Sequence, residues 1–225
     1  MTELTTPIII VNFKVYSEVE GPGAVRLAKE CESVALEKKA NIAVCPPMVE
    51  LSRVASEVTI PVLSQHVDDR SPGSITGYVS PQSVKAAGAM GTLINHAEHR
   101  MPPQEIAAAI EACRKLGLVS VVCTDTAETS AAMAVFSPDF IAVEPPELIG
   151  GDISVTTADP AIVSRTVEMV KAVDAQVKVL CGAGVKNGRD VRAALDLGAS
   201  GVLLASGVVK AKDVKAALLD LVSAL

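Results

Sequence analysis

Short apolar runs alternate with segments of helical period along the whole chain. The runs at residues 8–12, 41–45, 62–66, 92–96, 119–124, 140–144, 177–182 and 201–205 are rich in Val, Ile and Leu and barely alternate with polar positions. Such runs suit strands covered on both faces, as in a parallel sheet. Between them lie amphipathic stretches. Ala24, Leu27, Ala28, Cys31 and Ala35 recur on one helical face, and Val163, Val167 and Val170 repeat the stripe, as do Val214, Ala217, Leu218 and Leu221. Gly88, Gly117 and Gly198 stand just before a strand, where a left-handed residue ends a helix. Pro81, Pro102, Pro103 and the pair Asp159 and Pro160 mark helix starts.

Counting gives eight strand-then-helix units in 225 residues. That number predicts a (β/α)8 barrel or a large doubly wound sheet. No G-x-G-x-x-G follows the first run, which weighs against a dinucleotide-binding sheet. No linker-like or low-complexity tract divides the chain. The expectation is therefore α/β, a single TIM-barrel domain over residues 1–225. The longest irregular stretch, residues 67–80, is the length at which loops are usually functional or interfacial.

Composition narrows the function. Lys and Arg number 20 against 26 Asp and Glu, a net charge of −6, and a nucleic-acid protein needs the opposite sign. With Tyr 2, Phe 3 and Trp 0, no base-stacking platform is available. No apolar run is long enough to span a membrane. Residues 1–7 carry Glu3 and no basic residue ahead of a short apolar run, unlike a signal peptide, so a cytoplasmic location is expected. Cys31, Cys45, Cys113, Cys123 and Cys181 are odd in number and form no C-x-x-C pair, which predicts buried reduced thiols rather than a disulfide framework or zinc site.

In a barrel, chemistry gathers at the C-terminal ends of the strands. There the sequence puts Asn12 and Lys14 after the first run, His66 after the third, His96 and Glu98 after the fourth, and Glu144 after the sixth. The seventh and eighth runs end in Gly182-Ala183-Gly184 and Ala205-Ser206-Gly207. Singly, each has an ordinary explanation: a satisfied strand-end imidazole, a solvated lysine, turn-forming glycines. Jointly, an amide, a cation, an imidazole and a carboxylate facing a glycine-rich rim make a working site, and bare N–H groups at such a rim suit a phosphate.

These residues carry a resemblance. V-N-F-K at 11–14, N-H-A-E-H-R at 95–100, V-E-P-P-E-L-I-G at 143–150, C-G-A-G-V at 181–185 and L-L-A-S at 203–206 resemble, in order and spacing, the motifs of the triosephosphate isomerase family. Residues 75–81 resemble its interface loop. The short length and the P-P-E-L-I-G segment are similar to the archaeal type. The resemblance implies interconversion of dihydroxyacetone phosphate and D-glyceraldehyde 3-phosphate through an enediolate, a step of glycolysis and gluconeogenesis that requires no cofactor and no metal. It implies Glu144 as carbon base, His96 as neutral electrophile and proton shuttle, and Lys14 as fixed positive charge. Asn12, Phe13 and Lys14 would contact substrate, and Ile149, Gly184, Ala205 and Ser206 its phosphate. Residues 145–151 would form a lid, hinged at Gly150 and Gly151, and Glu98 would order Lys14. Three positions depart from the common pattern. Ala97 stands where many members have serine, the chain has no lid tryptophan, and Cys181 replaces a tyrosine.

Two other readings stay open on the residues alone. A different phosphosugar barrel enzyme would want a strand-six lysine for a Schiff base, or more His and Asp ligands for a metal. A non-catalytic binding barrel would keep the rim without the Lys14, His96 and Glu144 set. For assembly, residues 129–138 carry no charge and Ala107, Ala108 and Ala112 lie off the inner stripe of the preceding helix, an apolar patch of the kind that marks a partner surface. With the loop 67–80 as a second surface, a homotetramer is expected and a dimer is the alternative.

Overall fold

The first strand, β1 (Ile8–Asn12), is buried throughout and pairs in parallel with β2 (Asn41–Cys45) on one side and β8 (Gly201–Leu204) on the other. The sheet continues through β3 (Leu63–Ser64), β4 (Gly91–Ile94), β5 (Val119–Thr124), β6 (Phe140–Val143) and β7 (Lys178–Cys181) in the order β2-β1-β8-β7-β6-β5-β4-β3. Its ends meet: Val44 bridges Val62 in parallel, and the Val44 N–H donates to the Pro61 carbonyl at 3.0 Å. The sheet is thus an eight-stranded barrel and not an open doubly wound sheet. The computed structural model describes residues 4–145 and 160–225.

Strand alternation sorts the apolar runs into two layers. Ile8, Ile10, Ala43, Cys45, Leu63, Leu93, Val121, Cys123, Phe140, Ala142, Leu180 and Leu203 fill the barrel. Their neighbours Ile9, Val11, Ile42, Val44, Ile94, Val122 and Val202 pack outward into the helix layer, against Leu27, Ala28 and Cys31 among others. Burial on both faces explains why the runs read as continuously apolar. Each fully buried Ile or Leu contributes about 1.5–3 kcal/mol relative to exposure.

The described helices are α1 (Pro22–Lys38), α2 (Leu51–Glu57), α3 (Pro81–Ala86), α4 (Pro103–Leu116), α5 (Ala127–Ala134), α6 (Pro160–Val173), α7 (Gly188–Asp196), the short α8 (Ser206–Val209) and α9 (Val214–Val222). Gly88, Gly117 and Gly198 have φ of 89°, 68° and 91°, the left-handed stops expected before β4, β5 and β8. Pro81 and Pro103 open α3 and α4, and Pro160 opens α6. Among the described residues no helix is long and apolar enough to cross a membrane.

The strands stop slightly short of the apolar runs. The run 92–96 leaves the sheet after Ile94, because Asn95 has φ 61° and breaks the extended backbone. The run 62–66 keeps two strand residues, and Gln65 and His66 turn into the mouth of the barrel. The residues freed in this way build the site. The expected lid, apart from Pro145, lies outside the described residues, and so do Ile149 and the cap at Asp159.

Candidate active site

Lys14 follows β1 on a left-handed backbone, φ 49°, which an L side chain adopts only when its surroundings insist. Both of its main-chain groups are held. Its N–H donates to Asn12 Oδ1 at 3.0 Å, and its carbonyl accepts from Gln65 Nε2 at 2.9 Å. The same Gln65 amide donates to the Cys45 carbonyl at 3.0 Å, so one side chain ties the ends of β1, β2 and β3. The ammonium reaches Glu98 Oε1 at 2.7 Å, with 14 % of the lysine side chain exposed against 59 % of the glutamate's. An exposed carboxylate supplies little net energy to such a pair but aims the cation.

His96 stands beyond β4 and is buried. The N–H of Glu98 donates to His96 Nδ1 at 3.2 Å. Nδ1 is therefore the acceptor, and the proton of the neutral ring sits on Nε2. Burial, and then the Lys14 charge, push the His96 pKa down from 6.5 to about 4, against the smaller opposing effect of Glu98. The ring is neutral at physiological pH, and its Nε2–H faces the barrel mouth with Glu144 Oε1 3.6 Å away.

Glu144, the residue after β6, continues the inward phase of Phe140 and Ala142 and is 4 % exposed. Burial pushes its pKa up from 4.5 to about 7, opposed by the neighbouring Cys123 thiol and the Lys14 and Arg100 charges. Its Oε2 is buried and accepts no hydrogen bond from the described residues. A Cβ at Gly182 would fall 2.3 Å from Glu144 Cγ, so the glycine just after β7 makes the space in which the glutamate lies.

The opposite wall is made of backbone. Gly184 has φ 70°. The short helix α8 starts at Ser206, with Ala205 as its N-cap, and its first N–H groups have no carbonyl within the helix to bond. Gly207 lets the two loops close together, since a Cβ there would sit 3.3 Å from the Val185 carbonyl oxygen. Asn12, Lys14, His96, Glu144, Gly184, Ala205 and Ser206 line one cleft. Such a cleft offers a base, a hydrogen-bond donor and a cation on one side and anion-binding amides on the other.

One expected contact changes. Phe13 is fully buried in the helix-side layer and does not line the cleft. Alternation requires this: with Asn12 facing inward the next side chain faces outward. Tyr16 lines the cleft instead, with Lys210 Nζ 4.1 Å from its ring centre. Tyr16 and Gln65 escaped the sequence reading because neither lies at a strand end with a charge. Cys181 also faces the helix layer, and all five cysteines are buried and free. His66 and His99, which no motif explained, stack with ring centres 4.0 Å apart at the root of the loop 67–80.

Known proteins resemble the chain over almost its full length. The family model for triosephosphate isomerase matches residues 7–225. The triosephosphate isomerase of Methanosarcina barkeri is 53% identical over 216 residues, 96% of this chain and 97% of that protein. That of Methanocaldococcus jannaschii is 50% identical over 215 residues, 96% and 98% of the two chains. The crystal structure of triosephosphate isomerase from Bartonella henselae superposes with a TM-score of 0.74 at 19% identity over 98% of both chains, which speaks for the barrel fold. On the length and level of these matches, the chain belongs to the triosephosphate isomerase family, aldose–ketose isomerases that interconvert dihydroxyacetone phosphate and glyceraldehyde 3-phosphate.

Proposed function

We propose that Glu144 is the base of this isomerisation, His96 its electrophile and Lys14 its fixed charge. Glu144 takes the proton from the carbon beside the carbonyl. The C–H electron pair moves into the carbon–carbon bond, and the carbonyl π pair moves onto oxygen. His96 Nε2–H donates to that oxygen as it gains charge, then passes protons between the two oxygens of the enediolate, and Glu144 returns a proton to the adjacent carbon. Lys14 lowers the energy of the anion, and Asn12 orients the substrate while holding the Lys14 backbone. Gly184, Ala205 and Ser206 bind the phosphate, joined by Ile149 from the lid.

The observation that carries the reading is the pair across 3.6 Å: an imidazole kept neutral with its proton on Nε2, and a carboxyl with a pKa raised to about 7. A base works best with a pKa near ambient pH, and a neutral imidazole matches the weak acidity of an enediol better than an imidazolium. Triosephosphate isomerases are the familiar instance of this pairing. Replacing Glu144 by Gln tests it. Turnover should fall by at least about 10²–10⁴-fold, while binding of a non-isomerisable phosphate ester such as glycerol 3-phosphate stays near wild type. Wild-type turnover in the variant would reject Glu144 as base.

The proposal extends to a homotetramer in the cytoplasm. Free buried cysteines are compatible with a reducing compartment. On α5 Ala132 is exposed and Met133 half-buried, and just past its end Val135 is exposed and Phe136 half-buried; on α4, Ala108 is exposed. The loop 67–80 is buckled at its root, where Asp68 exchanges main-chain and side-chain hydrogen bonds with Val79. It carries the half-exposed Tyr78, while Val15 and Val49 lie open beside a recess lined by Lys14, Met48 and Gln65. Two such two-fold surfaces generate dihedral symmetry. Light scattering of Met133→Glu decides between the assemblies. A wild-type tetramer that becomes a dimer supports the helix interface, and a wild-type dimer leaves the loop contact alone.

A further inference from the structure

Asn95, the residue before His96, has a left-handed backbone with φ 61°. Asparagine tolerates that region, and glycine tolerates it better, so the backbone alone does not call for an amide. The side chain supplies something a glycine would lack. Nδ2 donates to the Cys123 carbonyl on β5 at 2.9 Å, and Oδ1 accepts from the Met101 N–H at 2.9 Å. The Asn95 carbonyl accepts from Arg100 Nη1 at 3.2 Å, and Arg100 stands 3.8 Å from Asp125. Asn95 is buried, so each of these bonds is costly to lose.

The ties enclose the turn that orients the imidazole. Between Asn95 and Met101 the His99 N–H donates to the His96 carbonyl at 2.8 Å, and the Glu98 N–H donates to His96 Nδ1. The Oδ1 bond to Met101 closes the far end of that turn, and the Nδ2 bond fastens its near end to β5. The β5 residue receiving that bond, Cys123, is the one whose thiol neighbours the Glu144 carboxyl. The gap between His96 and Glu144 spans the ends of β4, β5 and β6, and Asn95 provides a buried side-chain hydrogen bond across the first of the two intervals.

We propose that Asn95 is a positioning residue for the isomerisation. Its amide locks the 95–101 turn so that Glu98 N–H holds His96 Nδ1 and Nε2–H stays aimed at the substrate oxygen. The proposal rests on His96 being the electrophile, so the test carries a control for that reading.

The experiment compares wild type, Asn95→Gly, Asn95→Asp and His96→Gln by steady-state kinetics, and the first three by 15N NMR of the histidine rings at neutral pH. Asn95→Gly keeps the left-handed backbone and removes both side-chain bonds. Its kcat should fall about 10–100-fold, the scale of a misplacement on the order of 1 Å, with KM little changed because the phosphate rim is untouched. Its His96 ring should change from one tautomer to a mixture. Asn95→Asp keeps the acceptor and loses the donor, so its kcat should lie between those of wild type and the glycine variant. That variant decides the matter by the same two readouts if Asn95→Gly does not fold. An unchanged kcat with a single retained tautomer overturns the proposal, and so does a lower kcat with the tautomer kept. Undiminished turnover in His96→Gln instead overturns the reading of His96 itself, and the proposal with it.

Discussion

The two walls of the cleft are made of different material. On the side of β1, β4 and β6 the lining is ionisable side chains: Lys14, His96 and Glu144, the first two held by hydrogen bonds and the last two with displaced pKa values. On the side of β7 and β8 the lining carries no ionisable side chain: it is Gly182, Ala183, Gly184, Ala205 and Ser206 beside apolar Val185, Leu203 and Leu204. The contrast suits the two tasks proposed for the walls. Moving a proton needs groups that can change protonation state, and those must be oriented by other residues. Gripping a phosphate needs donors and close approach, which side chains would obstruct. The two walls meet at Gly182, which belongs to the backbone wall and whose missing Cβ accommodates Glu144.

That meeting point is where the contrast is easiest to break. Gly182→Ala puts a methyl group 2.3 Å from Glu144 Cγ and must displace the glutamate. The expected result is a fall in kcat on the order of 10²-fold with a smaller change in KM, measured by steady-state kinetics. Equal changes in both would show that the walls do not act separately.

The next effect concerns stability. The folded protein raises the Glu144 pKa from 4.5 to about 7, so its contribution is fully present below 4.5 and is lost as pH rises through 7. Above that the wild type keeps a buried charge that Glu144→Gln does not. The variant should be more stable than wild type at pH 8 by about 3 kcal/mol, a gain of several degrees in Tm, with no difference at pH 4. His96 has the opposite sign. Its pKa is lowered to about 4, so its contribution is lost as pH falls from about 6.5, equally in both proteins. Thermal melts across pH check both directions, and identical curves for the two proteins would mean that Glu144 is not strained by burial.

The smallest effect lies on the backbone wall. Gly184 has φ 70°, and an alanine there costs about 1–2 kcal/mol. If the loop must keep that shape to bind phosphate, Gly184→Ala should raise KM about 5–30-fold and leave kcat closer to wild type. A loss confined to kcat would move Gly184 to the catalytic side of the comparison.

The strand-end residues were readable from sequence because a parallel barrel leaves a simple mark. Strands covered on both faces read as apolar runs, and the first charged or imidazole side chain beyond each run falls at the same rim. Asn12, Lys14, His96, Glu144, Gly184, Ala205 and Ser206 were all singled out in that way or through the motifs around them, and they line one cleft. Phe13 was misplaced because a motif gives neighbours in the chain but not the phase of alternation. Gln65 was not singled out, and Asn95 entered only as the first residue of the 95–100 motif, because sequence does not show whether an uncharged amide is solvated or ties two strands.

Alone, then, the sequence determined the elements and the order in which chemistry-bearing residues reach the rim, since periodicity and left-handed helix stops are local properties. Tertiary structure decided what each residue does there. Lys14 meets Glu98 across 84 positions in sequence, and the Asn95 amide meets the Cys123 carbonyl across 28. Closing the barrel creates those contacts. The same closure removes Glu144 and His96 from water, which raises one pKa and lowers the other. Burial and cross-strand hydrogen bonds exist only once distant segments share a volume, and no local pattern records them.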